Sequence, residues 1–177
     1  MKNAWNKGSK VVYIDECMFT RASVPKSEWC LRNRNLTISD KKLNEPTLAL
    51  LAGISFEEGL ELCKVYKKSV NIPKFKDYLQ SLRKANKNKK LTIFMDNLST
   101  HRSEEAKEEM RQQKIEWIFN VAYSPDFNPI ESVFSKIKHK FKALRVKKMV
   151  GLLQQDIEKI VDMATKTVTK EDVKNCI

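Results

Sequence analysis

Two short apolar runs that each stop at an aspartate constrain this chain more than any other feature: KVVYID over Lys10–Asp15 and KLTIFMD over Lys90–Asp96. Both are rich in β-branched and aromatic residues, and each reads as a buried strand. Thr47–Ser55 and Leu60–Val70 read as two more strands separated by the turn FEEG, so the first three strands suggest an antiparallel meander. Pro73 suits the first position of a helix, and Phe75, Tyr78, Leu79 and Leu82 continue it at amphipathic spacing. Ser103 can cap a second helix whose first turn holds Glu104 and Glu105. Ile115–Val121 reads as a fifth strand, a long helix starts near Pro129, and a further helical region is expected over residues 149–164. The order β-β-β-α-β-α-β-α-α predicts a single mixed α/β domain over residues 1–177, with helices packed on a central sheet.

If the strands ending at Asp15 and Asp96 are parallel neighbours, about 4.8 Å apart, their carboxylates converge on one sheet edge. Carboxylates that close repel one another unless a cation lies between them. Mg²⁺ suits such a site, because it takes carboxylate oxygens and keeps positions for water and phosphate. Asp also ends many strands simply because it favours turns. Glu131, in YSPDFNPIE, is a third candidate. On a helical wheel Val133, Phe134, Ile137 and Phe141 form the buried stripe around Ile130, and Glu131 sits about 100° away at its border. The same residue can act as a cap instead. Asn128, Pro129, Ile130 and Glu131 read as N-cap to N3, with Glu131 reaching back as in a capping box. Glu16 follows Asp15 on the opposite strand face and is set aside.

Charge points to the partner. Lys and Arg number 34 against 22 Asp and Glu, a net charge of +12. An excess of this size implies a polyanion, with nucleic acid ahead of a membrane surface. Residues 132–148 hold seven basic residues and no acid, and residues 64–90 hold ten against Asp77 alone. Lys136, Lys138, Lys140, Lys142 and Arg145 are candidates for DNA backbone contact, the alternative being an ordinary solvated face. No run of roughly 18 apolar residues suggests a membrane span, and the polar N-terminus resembles no secretory signal. Cys17, Cys30, Cys63 and Cys176 form no CxxC pair and read as reduced thiols.

Taken in order, VVYIDE, IFMDNLSTHRS and YSPDFNPIESVFSKIK resemble the catalytic domain of the Tc/mariner superfamily of transposases. The 34 residues between Asp96 and Glu131 match the spacing of its Asp-Asp-Glu members, and TVTKEDVKNCI looks like its closing helix. The resemblance implies a ribonuclease H-like fold with a mixed five-stranded sheet flanked by helices. It implies that Asp15, Asp96 and Glu131 are catalytic and together hold two Mg²⁺ or Mn²⁺ ions, which activate the attacking oxygen and stabilise the leaving one. It also implies double-stranded DNA as substrate, both transposon ends and target, cut and then joined by one homodimeric complex. The expected location is the nucleus in a eukaryote and otherwise the cytoplasm or nucleoid. Asn97 and His101 fall in the family's DN-x-x-x-H stretch and could support the site, though His101 could equally make a local hydrogen bond. Asp126 and Asn128 are expected to shape the turn before the helix. Trp29, in a basic loop over residues 21–46, matches a tryptophan-bearing insertion of the family. Relatives carry helix-turn-helix modules ahead of this domain, and none is expected within the fourteen residues before Asp15. Rival readings are another nuclease of the same fold, such as a resolvase, and an inactive or domesticated transposon relic.

Overall fold

A computed structural model describes residues 8–20, 23, 45–121 and 124–177. Strand β1 spans Lys10–Phe19, β2 Leu48–Ser55 and β3 Gly59–Lys67. Helix α1 (Ile72–Ala85) leads into β4 (Leu91–Met95), the short α2 (Ser99–Arg102), α3 (Glu104–Gln112) and β5 (Ile115–Phe119). After a 3-10 turn at Pro125–Phe127 come α4 (Ile130–Met149), α5 (Ile157–Thr165) and α6 (Lys170–Lys174). The sheet order is β3-β2-β1-β4-β5. The first three strands form the expected antiparallel meander, and β4 and β5 run parallel to β1. This is the ribonuclease H-like arrangement. Trp29, Cys30 and the basic residues of their loop lie outside the described residues. No helix among the described residues is long and apolar enough to cross a membrane.

Strand alternation explains the two-sided core. Val11 and Tyr13 of β1 pack on the face covered by α4, α5 and α6, with Phe134, Phe141 and Val161. Val12 and Ile14 pack on the other face, beneath Phe75, Tyr78 and Leu79 of α1 and Met110 of α3. A central strand buried on both sides reads as a continuous apolar run, which is why β1 and β4 stand out in sequence. The helix starts follow capping chemistry. The Asn71 side chain accepts from Lys74 N ahead of Pro73, and Ser103 accepts from Ala106 N. A full capping box joins Thr169 and Asp172.

Three expectations change. Asp15 does not end its strand: β1 runs on to Phe19, because β2 continues to pair with it as far as Phe19↔Leu48 after the β4 ladder stops at Tyr13↔Phe94. The region expected to be helical over 149–164 is broken, with α4 ending at Met149 and α5 starting at Ile157. Gly151, at φ +82, ends α4 with a Schellman pair of hydrogen bonds, Leu152 N to Lys147 O at 2.8 Å and Gly151 N to Lys148 O at 3.0 Å.

Arg145 is the third correction. It was expected to face DNA, but it is only 1% exposed. It falls on the buried stripe one turn after Phe141, and its Nε lies 3.1 Å from Glu45 Oε2. One guanidinium nitrogen also donates to Thr20 O at 2.9 Å and Ser23 O at 3.3 Å. A buried guanidinium must be paired in this way. Arg145 therefore ties the end of α4 to the segments flanking residues 24–44.

Candidate active site

Three chain segments deliver the candidate acids to one end of the sheet. The β1–β4 ladder ends at the pair Tyr13↔Phe94, and Asp15 and Asp96 each follow two residues after it. Strand alternation places Asp15 on the same face as Tyr13, under α4, whose first turn carries Glu131. Asp15, Asp96 and Glu131 all line one cavity of about 780 Å³. Glu16 also borders it, but its Oε1 accepts from Val70 N at 3.5 Å on the α1 side of the sheet.

Each aspartate is held by neighbours. Asp15 Oδ1 accepts from Glu16 N at 2.7 Å, and its Oδ2 accepts from Asn128 Nδ2 at 2.9 Å. Asp96 Oδ1 accepts from Leu98 N at 3.3 Å and lies 2.7 Å from His101 Nδ1. An ionised carboxylate has nothing to donate, so His101 Nδ1 carries the proton in this pair. The His101 ring is buried and lies 4.5 Å, centre to centre, from the Phe75 ring, which fixes its plane. Asn97 donates to Asn120 O at the end of β5, and Asn120 Nδ2 donates to Ser124 O at 2.6 Å. The loops after β4 and β5 are thereby tied together behind the cavity.

Burial pushes the Asp15 carboxyl up to about 6, and the charges of Asp96 and Glu131 push the same way against the Glu16 amide and His101. The site thus holds a crowded, partly desolvated negative charge. Among the described residues, no three His, Cys, Asp or Glu side chains already close around one point. The donor set still fits a hard dication: carboxylate oxygens only, with no thiolate or imidazole among the three acids. Asn128 Oδ1, buried beside Asp15, adds an oxygen with no hydrogen-bond partner among the described residues.

Two residues are placed differently from the sequence reading. Asn128 was assigned to the turn and to capping, yet α4 has no side-chain cap, and Asn128 spends its amide on Asp15. Glu131, exposed on the first turn of α4, is therefore not the far half of a capping box. The only sequence hint to the role of Asn128 is its place three residues before the third acid. Arg102, which the sequence reading passed over, also lines the cavity.

Of the basic candidates on α4, Lys136, Lys138, Lys140 and Lys142 are all exposed, and Lys136 is ion-paired with Asp172 of α6. Lys138 and Lys142 line a smaller groove of about 350 Å³ with Ser135 and His139, and Glu131 closes its end. Glu131 is thus shared between the acid cavity and a basic groove along α4.

The family model described as DDE superfamily endonuclease matches residues 10–152. Among solved structures, the chain is similar to the Mos1 mariner paired-end complex with Mn, at 15% identity and a TM-score of 0.68, covering 98% of this chain and 54% of that one. It is also similar to the catalytic domain of Mos1 mariner transposase, at 14% identity and a TM-score of 0.61, covering 99% and 79%. A simian T-cell lymphotropic virus intasome, in complex with the PP2A regulatory subunit B56 gamma, matches at 13% identity and a TM-score of 0.56, covering 89% and 47%. These likenesses establish the fold. The chain spans about half the length of the mariner chains in the paired-end and strand-transfer complexes. No curated protein matches the sequence.

Proposed function

This chain belongs to the DDE superfamily of endonucleases, and from that premise we propose that it is the catalytic domain of a Tc/mariner-type transposase. Asp15, Asp96 and Glu131 are its catalytic acids, and duplex DNA is its substrate. The observation that carries this reading is that Asp15 of β1, Asp96 just past β4 and Glu131 of α4 line one cavity. The Mos1 paired-end and strand-transfer complexes support DNA ends as the substrate and a homodimer as the working assembly. Mos1 structures with Mn and with Mg support a divalent ion.

The three carboxylates would hold two Mg²⁺ or Mn²⁺ ions, which when bound supply charge neutralisation at the scissile phosphate and an activated oxygen nucleophile. The protein's own part is positioning. Asn128 Nδ2 fixes one Asp15 oxygen and the Glu16 amide the other, so the carboxylate cannot swing away. His101 does the same for Asp96, and its stacking on Phe75 keeps the imidazole from turning. Glu131 stands on a helix anchored by Ile130 and Phe134 in the core, so its backbone is rigid while its side chain reaches the cavity. Lys138 and Lys142 offer positive charge to phosphates arriving along α4.

Outer-shell partners of this kind typically govern metal affinity by 10–100-fold. Asn128→Ala is therefore expected to raise the Mg²⁺ concentration needed for half-maximal cleavage by roughly that factor, with near-normal cleavage once Mg²⁺ saturates. An unchanged Mg²⁺ dependence would mean that Asn128 only shapes the turn. The function itself is tested by offering the protein a pre-cut transposon-end duplex and a supercoiled plasmid. Joined products are expected with Mg²⁺ or Mn²⁺ and none with EDTA. Joining in EDTA, or cleavage confined to RNA–DNA hybrids, would overturn the reading.

A further inference from the structure

Arg102 stands out in the acid cavity because it is the only basic side chain lining it among the described residues, beside Asp15, Glu16, Asp96 and Glu131. Elsewhere long basic side chains near acids pair with them: Lys64 with Asp77, Lys148 with Glu45, Lys136 with Asp172. Arg102 pairs with none of the four carboxylates, and its side chain has no ion-pair or hydrogen-bond partner among the described residues.

Its backbone, in contrast, is pinned on both sides. Arg102 N donates to Leu98 O at 3.1 Å. The preceding residue, His101, is locked between Asp96 and Phe75. The next, Ser103, caps α3 through Ala106 N and donates to Thr100 O. An exposed guanidinium on a fixed backbone, four residues past Leu98, whose N donates to Asp96, is set up for a partner that arrives from solution. That partner must be anionic and able to sit beside the carboxylates. A phosphodiester meets both conditions, and a planar guanidinium binds its two free oxygens bidentately.

We propose that Arg102 is a positioning residue for the DNA strand, holding a backbone phosphate on the α2 side of the acid cavity. The inference rests on the proposed function. Lys138 and Lys142 lie in the groove that leaves the cavity at Glu131, along α4. With Arg102 on the other flank, positive charge brackets the three acids, so phosphates on both sides of the scissile one are held while the reacting one stays between the carboxylates. Two anchors set the strand's register along the cavity, which one cannot do.

The test compares wild type with Arg102→Gln, Arg102→Lys and, as a charge control on α5 that does not line the cavity, Lys159→Gln. Duplex binding is measured against salt concentration with Ca²⁺ present, and plasmid nicking is followed with Mg²⁺. Loss of one phosphate contact lowers the slope of log K against log salt by about 0.9. Arg102→Gln is expected to show that drop, with KM raised about tenfold, the factor for a lost charge-assisted contact, and an unchanged melting temperature. Arg102→Lys keeps the charge but not the fork, so it is expected to keep the slope with an intermediate KM. Lys159→Gln is expected to match wild type in both. A wild-type slope and KM for Arg102→Gln would overturn the proposal, as would an equal drop in Lys159→Gln. If wild type itself cuts no DNA, the transposase reading fails, while the salt slopes still report whether Arg102 touches phosphate.

Discussion

In the absence of divalent metal at pH 7, Asp15→Asn is expected to melt higher than wild type by several degrees while cutting no DNA. The Asp15 carboxyl is raised from 3.8 to about 6, chiefly by burial. A group whose pKa rises on folding favours the folded state most at low pH. That contribution is complete below about 4 and is lost as pH climbs through about 6, after which the folded protein carries a charge it accommodates poorly. Two units correspond to roughly 3 kcal/mol as an upper bound. Asparagine keeps the shape and can accept from Glu16 N through its one oxygen; its amide nitrogen then faces Asn128, whose side-chain amide must flip to present Oδ1, so the charge is removed at the cost of one rearranged hydrogen bond. A gain of about 1–3 kcal/mol corresponds to roughly 2–10 °C for a chain of this length. Melting curves in EDTA should therefore show the two proteins converging near pH 4 and separating up to about pH 7. Added Mn²⁺ should raise the wild-type melting temperature, because an ion that binds only the folded state stabilises it. It should move Asp15→Asn far less. A variant that melts below wild type at pH 7 in EDTA, or one that cuts DNA normally, would show that Asp15 is a structural aspartate.

The parts of the fold legible in the sequence are those where one physical demand dominates. β1 and β4 are apolar on both faces because helices cover both faces, and α1 shows its period because only one stripe of it is buried. The two aspartates were legible for the same reason, as charges where an apolar run stops or is interrupted. What was hidden depends on partners distant in sequence. The length of β2 decides that Asp15 sits inside β1 rather than at its end. Arg145 looks like one more basic residue of α4 until Glu45, Thr20 and Ser23 are seen around it. Asn128 satisfies every local rule for a cap, yet Asp15, over a hundred residues earlier, takes its amide. Helix α2 has four residues, too short for a periodic signal, and it is the element that positions His101 and Arg102.

The central claim is that Asp15, Asp96 and Glu131 act together as ligands, and Glu131 is its most exposed member in both senses. It lies on the surface of the first turn and makes no cap bond, so Glu131→Gln is expected to change stability by less than about 0.5 kcal/mol. The same change removes the negative charge and half the oxygens a hard dication needs. The decisive measurement is Mg²⁺-dependent strand transfer by the Glu131→Gln protein, with its melting temperature recorded on the same preparation. A shared metal site requires a protein that melts like wild type and loses more than the 10–100-fold that an outer-shell partner governs. A variant that melts like wild type and joins DNA at the wild-type rate would contradict the shared site and remove Glu131 from it.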